Sequence, residues 1–321
     1  MDNEFKIKLF HSMLRIRKFQ LAIENEYHKD EMKTPIHLYI GQEAIAVGIC
    51  ANLNPTDYIS SNHRSHGHYL AKGGDMNALA AELFCRKTGC SKGRGGSMHL
   101  VDVSVSHFGS SSIVGGGIPI GTGHALAAKM KRNGCVSVVF FGDGAHDEGV
   151  LYESINFAIL KKLPVIFVLE NNHFSVCSRT EYRWGTPSPF LNYDSNVLWS
   201  AKIDGNDISQ VFDKSMQAIT RARSGNGPSF IECVTYRMRG HAGTHHDAHL
   251  GYRNLEEITE WEGKDPIVRF RNRLSHSGLS QNIFEEIEER VDTEVRSAFA
   301  FAKTSALPDE TELGDYLFCE I

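Results

Sequence analysis

The chain has 321 residues, of which 41% are hydrophobic and 23% charged, and its formal net charge is −5. This composition predicts a soluble globular protein with one large α/β domain or two small ones, and the mildly acidic balance excludes a basic surface for nucleic acid or anionic membrane. No apolar run reaches membrane-spanning length, the start is unlike a signal peptide, and seven cysteines without a Cys-x-x-Cys pair predict reduced thiols in a cytoplasmic protein.

Helical spacing dominates the first third of the chain. Apolar residues at helical spacing predict an amphipathic first helix, and a glycine- and serine-rich stretch later shows little periodicity. Because long irregular stretches in compact domains are usually functional, we expect that stretch to form loops around a ligand. The predicted elements are helices over 5–28, 41–51 and 75–84, a strand over 58–61, the irregular stretch over 88–123, and a helix that starts near Ile120.

Strands and helices alternate in the middle of the chain, and helices follow at the end. The predicted elements are strands over 136–141, 165–169 and 228–236, helices over 148–160, 205–223, 255–274 and 281–302, loops over 174–196 and 237–252, and a surface arm at 307–310. Such alternation, with glycine-rich strand ends, predicts an α/β fold with a mostly parallel, doubly wound sheet flanked by helices.

The most informative motif lies at the ends of two predicted strands. Gly142-Asp143-Gly144 follows the strand over 136–141, and Asn171-Asn172 follows the strand over 165–169. In a parallel βαβ unit both strand ends lie at one edge of the sheet, where open α/β sheets bind ligands. Asp143 and Asn172 offer hard oxygen ligands for Mg²⁺ held together with phosphates, and the glycines allow close approach of a diphosphate. The alternative is a βαβ unit with ordinary turns.

This spacing resembles the thiamine diphosphate (ThDP) motif, and five other segments extend the resemblance to a family. Over about residues 8–320 the chain is similar to α subunits of the E1 component of ThDP-dependent 2-oxo acid dehydrogenases, including pyruvate and acetoin dehydrogenases. The resemblance implies a ThDP-binding fold with one diphosphate-binding domain over 1–321, an N-terminal helix at about 4–29 and a C-terminal helical arm at about 280–321. The other segments are 37–44, 64–67, 92–99, 113–115 and 236–241, in the family order.

The resemblance also implies a role for each matching residue. Arg64 and Arg237 would contact the diphosphate, for which a guanidinium fork is suited, together with backbone N–H groups of Gly144 and Ala145. Mg²⁺ would be bound by the side chains of Asp143 and Asn172 and by the main-chain carbonyl of Phe174. Backbone groups of Ser112 and Val114 would hold the aminopyrimidine ring, His241 would lie beside the diphosphate and the reaction centre, and His37 would face the substrate entrance.

The implied chemistry needs a second subunit. ThDP carries the reaction as nucleophile and electron sink, and in the family the glutamate that activates it lies on a β subunit. We therefore expect an α2β2 heterotetramer that cleaves a 2-oxo acid or acetoin and passes the acyl unit to a lipoyl or other acceptor. A lipoyl acyltransferase is an expected further partner, while nucleic acid and membrane are not expected partners.

The chain departs from the family pattern and leaves two alternatives open. His63 replaces a tyrosine of human-type members, and Ala242 replaces their regulatory serine, so phosphorylation there is absent. Some segments are similar to acetoin dehydrogenase α subunits, others to E1-like proteins of sugar and surface-polysaccharide biosynthesis. One alternative is therefore a ThDP-dependent carboligase that adds a two-carbon unit to a ketosugar, and the other is a scaffold that has lost its cofactor. Intact Asp143 and Asn172 argue against the scaffold.

The chain has 16 histidines, and two clusters allow a zinc interpretation. Neither cluster has a cysteine partner or a helical His-Glu-x-x-His pattern, which disfavours zinc. For His66 and His241 we favour catalysis, because each lies beside a glycine and near a phosphate-binding arginine, and histidine suits proton transfer near pH 7. Cys177 is expected to be a buried or loop thiol rather than a nucleophile. The clusters are His63/His66/His68 and His241/His245/His246/His249.

Overall fold

The computed structural model describes residues 1–315. Ten α-helices lie in this part of the chain: α1 (Asn3–Tyr27), α2 (Glu43–Cys50), α3 (His66–Ala71), α4 (Met76–Leu83), α5 (Gly117–Lys131), α6 (Gly149–Lys161), α7 (Ile208–Arg223), α8 (Leu255–Glu262), α9 (Pro266–His276) and α10 (Gln281–Thr304). The strands are β1 (Tyr58–Asn62), β2 (His107–Ser111), β3 (Ser137–Gly142), β4 (Val165–Asn171), β5 (Phe174–Ser175), β6 (Ser178–Arg179), β7 (Trp199–Asp204) and β8 (Ser229–Val234).

Six of the strands form one parallel sheet in the order β2-β1-β3-β4-β8-β7. Helices connect most consecutive strands of the sheet, as is usual for parallel pairing, whereas the connection from β4 to β7 runs through β5, β6 and two short 3-10 turns. The remaining strands, β5 and β6, pair as a short antiparallel ribbon directly after β4. The predicted α/β class with a mostly parallel sheet is confirmed.

The central strands are buried on both faces, which explains their nearly continuous apolar sequence. In β3, Val138 and Phe140 pack into one apolar cluster, and Val139 and Phe141 pack into a second cluster on the opposite face. Side chains that alternate between two cores fix the register of the strand, because a slip by one residue would exchange its faces. The carboxyl end of β3 is therefore held in a fixed position relative to its neighbours.

A third apolar cluster joins the two ends of the chain. It contains α1 residues such as Phe10 and Phe19 and α10 residues such as Phe284 and Phe299. The Asp2 carboxylate caps α1 by accepting a hydrogen bond from the Phe5 N–H at 2.8 Å. Helix α10 matches the predicted C-terminal helix, while residues 316–321 of the predicted arm, with Cys319, lie outside the described residues.

Several details differ from the sequence predictions, among them the short helix α3 and the β5-β6 ribbon, which were not predicted. Both edge strands were missed: β2 lies in the irregular stretch and is mostly glycine, serine and histidine, and β7 is only partly buried. The helix predicted over 255–274 is divided, because Asp265 caps a new helix whose first residue is Pro266. None of the helices in residues 1–315 combines the length and the apolar character that crossing a bilayer requires.

Candidate active site

A cavity opens at the carboxyl ends of β1, β3 and β4, the edge at which parallel α/β sheets bind ligands. It encloses about 960 Å³, part of which is open to solvent. The structure brings most of the predicted site residues to this cavity, although they come from six separate segments of the chain. The lining includes His37, Arg64, Ser112, Val114, Asp143, Gly144, Ala145, Asn172, Phe174 and His241, but not His66 or Arg237.

Asp143 directly follows β3 and is 1% exposed. Burial raises its pKa to about 6, although the neighbouring Arg183 guanidinium, with which it forms an ion pair, acts in the opposite direction. Arg183 also donates to the Asp143 carbonyl at 3.2 Å and pairs with Asp147. An arginine therefore holds the carboxylate that the sequence predicts as a metal ligand, and this arginine was not predicted.

The other two predicted metal ligands are also buried at the cavity. The Asn172 amide donates to Gln42 Oε1 at 3.2 Å, and its oxygen accepts a hydrogen bond from the Phe174 N–H at 3.3 Å. Across the cavity edge, a Cβ on Gly144 would lie 2.5 Å from Ser175 Oγ and 3.1 Å from Ser175 Cβ, so these two loops approach each other closely at the glycine. The donor set of one carboxylate, one amide oxygen and nearby carbonyls fits a hard divalent cation such as Mg²⁺.

Two buried arginines give the cavity a strong positive character. Arg64 is 4% exposed and donates to the carbonyls of Leu38 and His241 at 2.6 and 3.1 Å. Arg237 is 1% exposed and donates to the Val176 carbonyl and to the Tyr252 hydroxyl, while its Nε and Nη1 have no hydrogen-bond partner. Burial and mutual repulsion lower the pKa of Arg64 to about 9, and burial lowers that of Arg237 to about 10.

Neither arginine forms a salt bridge with a carboxylate within residues 1–315. Buried charges are normally paired, because an unpaired ion is costly to remove from water. The two guanidinium groups therefore fit an anionic ligand such as a diphosphate. Arg237 lies behind Val176, which lines the cavity and has a φ of +53°, a strained conformation for a β-branched residue.

Three imidazole rings meet in the cavity wall. Ring centroids are 4.6 Å apart for His37 and His63, 5.1 Å for His37 and His241, and 5.4 Å for His63 and His241. Burial, and then the positive charge of Arg64, lower the pKa of His37 to about 4, of His63 to about 2 and of His241 to about 3. The three rings are therefore uncharged at neutral pH.

His66 is not placed at the cavity. Its side chain is fully buried, with Nε2 2.8 Å from Ser97 Oγ and Nδ1 3.2–3.3 Å from the Gln20 side chain. Both ring nitrogens are used within the protein, so His66 has no atom left to contact a substrate. The structure thus gives His66 a place in packing, and its predicted catalytic role has no support in this geometry.

Neither histidine cluster proposed from the sequence forms a metal-like group in residues 1–315. His68 is fully buried and lies between Ser61 Oγ (2.5 Å) and Glu170 Oε1 (3.0 Å), whereas His245, His246 and His249 are not part of any such group. Instead, His63 from the first cluster and His241 from the second lie beside His37. Cys177 is an exposed loop thiol, in agreement with its prediction.

Glu170 is a cavity residue that sequence reasoning missed. It is 1% exposed, accepts a hydrogen bond from the Tyr39 hydroxyl, and has Asn62 Nδ2 at 3.4 Å in addition to His68. Its position in the strand end directly before Asn171-Asn172 was a signal that could have identified it. Within residues 1–315, Asp143 and Glu170 are the carboxylates that line the cavity.

The glycine-rich motif over 92–99 was expected to surround a ligand, but it is organised around a buried carboxylate of the protein itself. Its backbone wraps around the fully buried Glu82 carboxylate, which accepts hydrogen bonds from the N–H groups of Ser91, Gly93, Gly95 and Gly96 at 2.8–3.0 Å. The irregular stretch thus has two parts. Its first part is organised around Glu82, and its later part, from Ser111 to Ile118, lines the cavity as predicted.

Comparison with known proteins gives consistent results along nearly the whole chain. The sequence model of the family described as "Dehydrogenase E1 component" matches residues 11–310. The chain is 39% identical, over 98% of its length and 93% of the relative's, to the α subunit of the acetoin:2,6-dichlorophenolindophenol oxidoreductase of Bacillus subtilis (strain 168). It is 34% identical to the pyruvate dehydrogenase E1 component subunit alpha of Porphyra purpurea, covering 97% of the chain and 92% of the relative. A human testis-specific mitochondrial pyruvate dehydrogenase E1 α subunit is 35% identical, covering 97% of the chain and 79% of that protein.

Proposed function

The chain belongs to the dehydrogenase E1 component family, and from this premise we propose that it is the α subunit of a ThDP-dependent enzyme that cleaves a 2-oxo acid or acetoin. The observation that carries the proposal is the pair of buried arginines, Arg64 and Arg237, without carboxylate partners beside the buried Asp143. Such a charge arrangement is costly unless a dianion and a divalent cation bind together.

The cavity residues fit ThDP and Mg²⁺. Asp143, Asn172 and the Phe174 carbonyl would hold Mg²⁺. Arg64 in the cavity lining would contact the diphosphate, and Arg237, which lies behind Val176 with unpartnered Nε and Nη1, would add positive charge beside it. The Val114 side chain is 49% exposed in the cavity, where it is free to support the cofactor. When bound, ThDP supplies the carbon nucleophile and electron sink of the reaction.

The remaining steps fall to side chains of this protein. Arg64 and Arg237 would neutralise phosphate charge in a largely water-excluded site, where electrostatic interactions are strong. The neutral His37 and His241 can each donate one hydrogen bond through N–H and accept one through the other nitrogen. They would therefore stabilise an anionic oxygen of the substrate or move a proton at that oxygen, without adding net charge beside the two arginines.

A second subunit completes the proposed enzyme. The relatives described above are all named α subunits, and we propose that this chain pairs with a β subunit in an α2β2 heterotetramer. We also propose that a lipoyl group, carried by a lipoyl acyltransferase, accepts the acyl unit. The family's activating glutamate is expected on the β subunit. Glu43, the acidic residue of the motif over 37–44, is bound by Arg17 at 2.6 and 3.1 Å and does not line the cavity.

We propose that the substrate is acetoin or a 2-oxo acid such as pyruvate, the two compounds that appear in the names of the relatives. None of the three relatives described above carries a carboligase name, so the comparisons give no support to the ketosugar alternative. We further propose that residues 1–321 form one diphosphate-binding domain in the cytoplasm.

The proposal is tested by calorimetric titration of the full chain, together with its β partner, with ThDP in the presence and absence of Mg²⁺. Asp143→Ala should abolish Mg²⁺-dependent ThDP binding, whereas Asp147→Ala, which removes an exposed carboxylate of the same loop, should retain it. Unchanged ThDP affinity in Asp143→Ala would refute the site. Oxidation of acetoin and of pyruvate with dichlorophenolindophenol as electron acceptor would then identify the substrate class.

A further inference from the structure

We propose that His37, His63 and His241 form a binding site for a divalent transition-metal ion such as Zn²⁺, separate from the Mg²⁺ site and in the same cavity. Three observations carry this inference: the convergence of the rings, their lack of other hydrogen-bond partners, and the open space in front of them. It goes beyond the proposed function, because ThDP chemistry does not require such an ion.

The geometry shows the convergence directly. One ring nitrogen from each histidine lies within 4.8 Å of the other two. No ring nitrogen of the three forms a hydrogen bond within residues 1–315, and the buried Nδ1 of His37 has no partner at all. His37 is 7% exposed, and its Nδ1 is a buried polar atom without a partner in the side chain that joins the cluster. In native proteins each such buried atom requires an explanation.

The ligand chemistry fits a borderline-soft cation. Imidazole nitrogen suits Zn²⁺, Cu²⁺ and Ni²⁺, and a Zn–N distance of about 2.0–2.1 Å places tetrahedral ligands about 3.3 Å apart. The nitrogens therefore need to approach by at most about 1.5 Å, which small side-chain rotations of the partly exposed His63 and His241 can provide. Three protein ligands leave the fourth position open to the cavity, as in catalytic zinc sites.

The electrostatic surroundings decide what the fourth ligand is. Arg64 lines the cavity beside the cluster and Arg237 lies behind Val176, and both are close enough to repel a cation there, since the charge of each lowers the pKa of His37 and His241. A bound ion with an anionic fourth ligand, such as chloride, hydroxide or a carboxylate, carries less net positive charge and is favoured there. The all-nitrogen set also distinguishes this site from Asp143 and Asn172, because hard Mg²⁺ prefers oxygen ligands.

A metal ion at this position would oppose the proposed reaction. Coordination would occupy the lone pairs of His37 and His241, the groups that we expect to face the substrate. The site would therefore act as a reversible inhibitory site, sensitive to free zinc. His63 is decisive, because it supplies the third ligand of the cluster.

The test uses the full chain and Co²⁺ as a spectroscopic substitute for Zn²⁺. Titration with Co²⁺ should produce visible ligand-field absorption typical of tetrahedral nitrogen coordination, at one ion per chain, and Zn²⁺ should displace it. His63→Phe should weaken binding by at least about tenfold, since even changes behind a metal ligand cost 10–100-fold. The exposed, unclustered His249→Phe and the Mg²⁺-site variant Asp143→Ala should both retain the absorption.

Several results would overturn the inference. Absence of the absorption band from the wild-type chain would do so without any variant. Equal Zn²⁺ affinity of the wild-type chain and His63→Phe, measured by calorimetry, would do the same, and His63→Gln with an unchanged circular-dichroism spectrum serves if the phenylalanine variant does not fold. Loss of the band in Asp143→Ala would assign the ion to the other site. None of these measurements depends on turnover, so they stand apart from the test of the proposed function.

Discussion

Replacing Asp143 by asparagine should make the metal-free chain more stable while it abolishes Mg²⁺ binding. The substitution keeps the shape of the side chain and removes a charge that is 1% exposed. Burial raises the pKa of Asp143 from the ordinary value of 3.8 to about 6 even with Arg183 beside it. At about 1.4 kcal/mol per pH unit, keeping this carboxylate charged costs the folded chain about 3 kcal/mol near neutral pH.

The sign of the pH dependence follows from linkage. A group whose pKa is higher in the folded chain than in the unfolded chain contributes stability below the unfolded value and loses that contribution as pH rises through the folded value. Wild-type and Asp143→Asn chains should therefore be about equally stable near pH 4. The variant should gain progressively between pH 4 and 6, and should reach an advantage of about 3 kcal/mol above that range.

Urea denaturation of chelator-treated protein from pH 4 to 8 measures this difference. Asp147→Asn is the matched control, because it neutralises an exposed carboxylate that Arg183 also contacts and should stay within about 0.5 kcal/mol. Adding Mg²⁺ and ThDP should stabilise only the wild-type chain, by about 2.7 kcal/mol at a hundredfold excess over Kd. A variant that is less stable at pH 7.5, or a difference independent of pH, would refute the reasoning.

Four further outcomes follow from the same contacts. Arg183→Gln should tighten Mg²⁺ binding in calorimetry by up to about tenfold, because a competing cation leaves Asp143; weaker binding would mean that Arg183 contacts the ligand. Glu82→Gln should lower the free energy of unfolding by about 2–6 kcal/mol, since an amide leaves about two of four backbone N–H groups unsatisfied, and an unchanged urea midpoint would contradict this. His241→Ala should leave ThDP affinity within about tenfold yet slow acyl transfer by about a hundredfold or more; equal losses in binding and rate would make it structural. The chain without its partner should show negligible turnover, and robust activity would point to Glu170 as an activating carboxylate on this chain.

The sequence was sufficient for the interior of the sheet and insufficient for its edges. Strands β3, β4 and β8 are buried on both faces and largely apolar, so their sequence alone distinguishes them from loops. Strand β2 pairs through backbone groups that any residue carries, and its His-Phe-Gly-Ser-Ser sequence has no strand pattern. Strand β7 has one neighbour, and partial exposure blurs its alternation. Pairing partners, rather than local propensity, determine both edges.

The candidate site shows a similar division. Asp143 and Asn172 were predictable because parallel strands place their ends together, whatever the side chains between them. Arg183 and Glu82 were not, because their partners are set by how loops fold back over the sheet. His66 illustrates the opposite case: its neighbours in sequence suggested chemistry, whereas in the structure Gln20 and Ser97 occupy both of its ring nitrogens. Sequence proximity to a functional arginine is therefore weaker evidence than convergence at one strand edge.

The cavity combines several features that are unfavourable in the free chain. Arg64 and Arg237 are buried without carboxylate partners, Asp143 is charged at the expense of stability, and Val176 adopts a left-handed backbone conformation. Each feature disfavours the free chain, and all of them lie at or beside one cavity. Natural proteins break the rules of burial and backbone geometry chiefly at functional sites, where a ligand offsets the cost. The concentration of these costs beside Asp143, more than any single contact, indicates that a highly charged ligand belongs in this cavity.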